Sequence, residues 1–309
     1  LSGGTLVASG TSNTVNYTSA TQTCKTINYV NLTVSGSGTF TCATTTITGN
    51  LTTSGTVAWT TGANLAVTGA VNIGNGTTLT QGAFTLSVGG VMTVGGGSSG
   101  TFVGSGSALT LNGNLALASG ATWTKGAGVV TFSKGVAQTW TDSTASKQDI
   151  GTVQISANGG NTSLSLGASA KATKITIDAS QTFAPGAYTF TLTGSGTAGS
   201  RPFINNGTFT NTSSTIAYAG DGDTDIETTA TTYNNLSLTP TITSGRAYAP
   251  NGALTVGGAL SINPDAGSAL NLALSLGGST SITGALTITK TNSATSSLTT
   301  TGSNHSLTA

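Results

Sequence analysis

Along most of the chain apolar residues occupy alternate positions, with threonine, serine or asparagine between them. Asn31-Leu32-Thr33-Val34, Leu109-Thr110-Leu111, Leu164-Ser165-Leu166 and Ile175-Thr176-Ile177 all place aliphatic side chains at i and i+2. A two-residue period turns one face of an extended segment inward and a hydroxyl-bearing face outward, so these segments are predicted strands. Threonine, valine and isoleucine suit such a pleated surface, on which branched side chains pack well. Glycine, asparagine and serine fill the short intervals between strands, where the chain must turn tightly. No window sustains the i, i+3, i+4, i+7 spacing of a helical stripe.

The alternation is itself repeated. Gly49-Asn50-Leu51, Gly69-Ala70-Val71, Gly90-Val91-Met92 and Gly113-Asn114-Leu115 recur at a loose, slowly widening interval. Between them runs a second beat, Gly38-Thr39-Phe40, Gly55-Thr56-Val57, Gly76-Thr77-Thr78, Gly100-Thr101-Phe102 and Gly120-Ala121-Thr122. Two marks on one loose period define a unit of roughly 17 to 24 residues. A unit this short cannot bury its apolar face alone, but it can when stacked on its copies. The predicted fold is therefore all-β, a parallel β-solenoid (β-helix) with turns of roughly 20 residues. Roughly 13 to 15 turns at the interstrand spacing give a rod about 60 to 70 Å long. An antiparallel sandwich also alternates, but this length would need two of them.

A longer beat overlies the short one. Thr14-Val15-Asn16-Tyr17 precedes Tyr29-Val30-Asn31-Leu32, Val130-Thr131-Phe132 precedes Ile150-Gly151-Thr152-Val153, and Thr215-Ile216-Ala217-Tyr218 precedes Tyr233-Asn234-Asn235-Leu236. These pairs mark super-repeats starting near residues 14, 130 and 215. All five prolines (Pro185, Pro202, Pro240, Pro250, Pro264) lie in the second half, and the first acidic residue is Asp142. Residues 1–150 are expected to form the more regular solenoid. Residues 151–309 should continue it with more loops, the alternative being one continuous domain.

Composition narrows the function. Only 6% of residues are charged and the net charge is +1, so there is no electrostatic footprint for nucleic acid or an anionic membrane. So few charges favour association over dispersal. No apolar run is long enough for a membrane-spanning helix. The sequence opens at Leu1 without the basic and apolar regions of a signal peptide, so an exported protein would be in its mature form here.

Candidate chemistry is sparse. Asp221, Asp223, Asp225 and Glu227 form an alternating string that holds half of the chain's carboxylates. Such a string is either a Ca²⁺ site, the only cofactor that the sequence raises, or a solvated loop between strands. Cys24 and Cys42 are separated by about one turn. That spacing favours an intrachain disulfide between adjacent turns, with an intermolecular bridge or two buried thiols as alternatives. Nine Asn-x-Ser/Thr sequons occur, no more than the composition supplies by chance, so they permit glycosylation without indicating it. The pairs Thr39/Thr41, Thr208/Thr210, Thr241/Thr243 and Thr287/Thr289 raise an ice-binding face, which needs a pair on nearly every turn. They fall irregularly, and strand propensity explains them. No nucleophile–base motif, phosphate loop or metal spacing occurs, and the one histidine, His305, stands near the C-terminal end. No catalytic residue is named and no enzyme is expected.

The Tyr-Asn-Asn-Leu-Ser-Leu of 233–238, the Gly-Asn-Leu starts and the Gly-Ala-Leu-Thr-Val-Gly-Gly of 252–258 resemble secreted β-strand-repeat proteins of prokaryotic surfaces. Autotransporter passengers and filamentous haemagglutinins are such families. The resemblance is one of repeat style and covers nearly the whole chain. It implies a parallel β-solenoid used outside the cell as an adhesin, fibre or coat.

The combined expectation is an extracellular or cell-surface structural protein whose partner is itself. Neither 1–12 nor 291–309 reads as a polar cap, so copies are expected to stack end to end or exchange a terminal strand. If the N-terminal segment makes the joint, deleting residues 1–12 abolishes polymerisation. The alternative is a monomeric adhesin stalk or glycan-binding module. It would need an exposed aromatic patch, for which Trp59, Trp123 and Trp140 are the only tryptophans.

Overall fold

The computed structural model describes residues 10, 12–96, 98–300 and 307–308. The chain is all-β and coils as a parallel β-solenoid of about 12 turns, with about 22 residues to the turn. His305 and the segment 1–9 lie outside the described residues. By its contacts the chain divides into two compact units, Leu1–Gly151 and Thr152–Ala309.

In the first unit successive turns supply strands to three parallel sheets. The first face consists of Thr14–Tyr17, Asn31–Val34, Leu51–Thr53, Val71–Ile73, Met92–Val94, Leu115–Leu117 and Ala137–Asp142. The second consists of Gln22–Thr23, Ser37–Cys42, Thr56–Thr61, Thr78–Thr80, Ser99–Val103 and Gly120–Thr124. The third consists of Thr46–Ile47, Leu65–Val67, Leu86–Val88, Leu109–Leu111 and Val129–Phe132. Register aligns like with like, so Leu32, Leu51, Val71, Met92 and Leu115 form one column. Each is at most 1% exposed. Full burial of an aliphatic side chain contributes roughly 1.5–3 kcal/mol, and the column repeats that gain at every turn. Along it every step is longer than the one before, the shortest running from Leu32 to Leu51 and the longest from Met92 to Leu115. This lengthening is why the chain makes fewer turns than its early, shorter beat implies.

The glycine beats have two causes. Gly49, Gly69, Gly90 and Gly113 stack at one corner, where each turn lies backbone to backbone on the last. Gly69 N donates to Gly49 O at 2.9 Å and Gly90 N to Gly69 O at 2.8 Å. A Cβ on Gly113 would run into the carbonyl of Gly90. In the second beat Gly38, Gly55 and Gly76 answer to conformation, with φ of +77°, +78° and +73° in the left-handed region that side chains disfavour, while Gly100 and Gly120 again lie against the backbone of the turn before. Asparagines beside the corner join the ladder. Asn31 Oδ1 accepts from Asn50 N at 2.9 Å, and Asn50 Oδ1 from Ala70 N at 2.8 Å.

The lumen is filled. Behind the second face Phe40, Trp59, Leu79, Phe102 and Trp123 stand in register. Ring centroids are 5.3 Å apart for Phe40–Trp59 and 4.4 Å for Phe102–Trp123. The cavity beside Gln81, Phe102 and Trp123 has a volume of about 10 Å³, room for one water.

The second unit keeps the parallel plan with longer excursions. Ala170–Ala172, Thr189–Leu192, Thr215–Tyr218, Asn235–Leu238, Leu260–Ile262 and Leu286–Ile288 form one sheet. Thr224–Ile226, Arg246–Pro250, Asn271–Leu276 and Thr295–Thr300 form another. The prolines stand at strand ends or in turns, where the missing N–H costs no ladder bond.

Gly113→Ala tests the corner. Because the obstructing atoms are main chain, the substitution should destabilise the fold by about 1–3 kcal/mol, read as a lower urea midpoint.

Candidate functional site

The densest group of ionisable side chains is the acidic string, which the fold lays along the strand Thr224–Ile226 and its flanks. Residues two apart in a strand share a face, but the string outruns its three-residue strand, so its members reach different partners and the structure does not bring the four carboxylates to a common point. Asp221 accepts from Arg246 Nε at 2.7 Å and Thr243 Oγ1 at 2.5 Å, both one turn on. Asp223 Oδ1 accepts from Ala247 N at 2.9 Å, also one turn on. Asp225 Oδ2 accepts from Ala198 N at 2.6 Å, one turn back. Glu227 is fully buried. Its carboxylate accepts from Arg201 Nε and Thr229 N, both at 2.7 Å, and from Asn251 Nδ2 at 3.3 Å. Among the described residues no group of three or more His, Cys, Asp or Glu is placed to hold a metal ion.

The string therefore ties turns together. Asp221 is held down to about 2, chiefly by the Arg246 guanidinium and then by Thr243. For Glu227 burial pushes upward, yet the donors from Thr229 and Arg201 outweigh it and hold the carboxyl below its ordinary value.

Around Glu227 runs a closed hydrogen-bond circuit. Glu227 N donates to Tyr218 Oη at 3.3 Å, the Tyr218 and Tyr233 hydroxyls are 2.9 Å apart, and Tyr233 Oη donates to Glu227 O at 2.6 Å. The outer two bonds fix the middle one, so Tyr218 donates to Tyr233. Burial raises both phenols well above their ordinary range, keeping them protonated donors at neutral pH. The same circuit occurs in the first unit. There Lys25 N donates to Tyr17 Oη at 3.0 Å, Tyr17 and Tyr29 are 2.9 Å apart, and Tyr29 Oη donates to Lys25 O at 2.6 Å. Two tyrosines close the backbone of one loop residue in both places, which gives the super-repeats at 14 and 215 a physical basis. Near 130, phenylalanine and isoleucine replace the tyrosines. Buried Asp142 holds that loop instead, accepting from Thr144 N at 2.9 Å and Gln148 N at 2.5 Å.

Cys24 and Cys42 form a disulfide with Cα atoms 5.0 Å apart. Cys24 N also donates to Thr41 O at 2.9 Å, so the bond joins neighbouring turns. Trp59, Trp123 and Trp140 are 1%, 6% and 0% exposed. They are lumen packing, and the exposed aromatic patch for glycans is not made by them.

The chain matches no protein-family model, no curated protein and no solved structure.

Two outcomes are expected. Tyr233→Phe strands a buried carbonyl at Glu227 and should destabilise by about 1–3 kcal/mol, measured by urea unfolding. In acid, the depressed carboxyls stabilise the fold fully above their unfolded values and lose that contribution as pH falls through the folded ones. The urea midpoint should hold from pH 7 to 5 and decline between about pH 4 and 2, with a smaller decline in Glu227→Gln.

Proposed function

We propose that the chain is a structural subunit that self-assembles into an extracellular filament or cell-surface layer. One observation carries this reading. Leu192, Tyr218, Leu238 and Ile262 form a column in which none is exposed, and Ile288 is its next member at 42% exposed. The strand Leu286–Ile288 pairs with Leu260–Ile262 on one side and with no described strand on the other. Beside it opens a groove of about 340 Å³ lined by Ile288, Thr289, Lys290, Thr295 and Ser296.

Another turn laid on this edge would cover Ile288 and satisfy a row of main-chain donors and acceptors. A second copy supplies such a turn by stacking or by giving up a terminal strand. Main-chain pairing tolerates the bland side chains here, and the low charge offers little repulsion. The Cys24–Cys42 bond favours an oxidising compartment, which supports a place outside the cell.

The test is sedimentation without denaturant, followed by electron microscopy. The wild-type chain should pellet as ordered fibres or sheets. Ile288→Lys places a charge on the open edge and should leave the protein in the supernatant with an unchanged circular dichroism spectrum. A wild-type protein that stays monomeric at all concentrations would overturn the proposal.

A further inference from the structure

The second face of the first unit carries a two-dimensional array that its uneven spacing hides in the sequence. In register, one outward column reads Thr39, Ala58, Thr78, Thr101, Thr122. The adjacent column, two positions along each strand, reads Thr41, Thr60, Thr80, Val103, Thr124. Eight of the ten positions are threonine, none is charged, and all ten are exposed or half-buried. Unequal steps from turn to turn make the pairs fall irregularly along the chain, while the ladder brings them into line. Of the Thr-x-Thr pairs singled out from the sequence only Thr39/Thr41 belongs to this face. Thr78/Thr80 and Thr122/Thr124 complete it.

We propose that this face binds crystalline ice. Its repeats are about 4.8 Å between strands and about 6.7 Å between alternate residues, near the oxygen repeats on the faces of hexagonal ice. Threonine joins a methyl to a hydroxyl on a stiff branched carbon, so an array of them orders water without first ordering itself. Apart from Thr23–Thr41 at the edge (3.2 Å), the array's hydroxyls make no hydrogen bond within the described protein. Behind the columns Phe40, Trp59, Leu79, Phe102 and Trp123 back the sheet from the lumen. With the aromatics turned inward, the face lacks the flat rings that a crystalline polysaccharide would stack on. The other two faces of the unit present a single outward column each, Asn16, Thr33, Thr52, Asn72, Thr93, Ala116, Thr141 on the first and Thr46, Ala66, Ser87, Thr110, Thr131 on the third.

The test uses the full chain, labelled with a fluorophore, in the supernatant and pellet fractions alike so that assembly does not decide the result. Partition into a growing ice front and the gap between melting and freezing points are measured. The wild-type protein should enter the ice and open a gap. T60Y and T80Y should fall to the level of an inert control, while T110Y on the third face behaves as wild type. Circular dichroism and the melting temperature check folding, and A58Y replaces either variant that does not fold. Exclusion of the wild-type protein from ice, unchanged binding by the second-face variants, or equal loss in T110Y would each overturn the proposal.

Discussion

Everything in this molecule follows from the parallel main-chain ladder. Because each strand pairs with the strand one turn earlier, a residue in a paired strand has an equivalent directly above or below it at about 4.8 Å. A residue type that fits once therefore fits at every turn, and one that fails is repeated as a failure. The corner glycines, the asparagines that accept from the next turn, and the aliphatic and aromatic columns all obey this rule. So does the scarcity of charge, since like charges stacked at that distance would repel unless each had its own partner.

Where charge does occur, the structure supplies such partners. Asp221 meets Arg246 and Glu227 meets Arg201 across adjacent turns. Glu227 is tolerated inside because guanidinium, main-chain and amide donors surround its carboxylate, while a tyrosine circuit closes its own peptide groups. A buried charge lacking any of these would be costly. The recurrence of the circuit around Lys25, whose side chain is a cation, shows that the tyrosines serve the backbone whatever the side chain is.

The parallel strands and the turn length were legible in the sequence because strand alternation and corner glycines are local requirements. So was the pairing of Cys24 with Cys42, since one turn separates them. Register was not legible. With steps of unequal length in the first unit, the alignment of Thr80 with Thr60 depends on how each intervening loop closes. Nor could spacing alone show that Glu227 turns inward while Asp225, two positions earlier, stays at the surface among different neighbours. The tyrosine pairs were visible as an aromatic beat, but the atoms they satisfy belong to a loop that carries no repeat.

The disulfide has a consequence for how the molecule comes apart. Turns held to their neighbours only by main-chain bonds can part locally while the rest of the stack stays folded. Near the N-terminus the strands Gln22–Thr23 and Ser37–Cys42 are linked through Cys24–Cys42, and the turn cannot peel away while that bond stands. Wherever a gap opens between turns of the first unit, it therefore stops at the bonded pair, as a tear stops at a stitch.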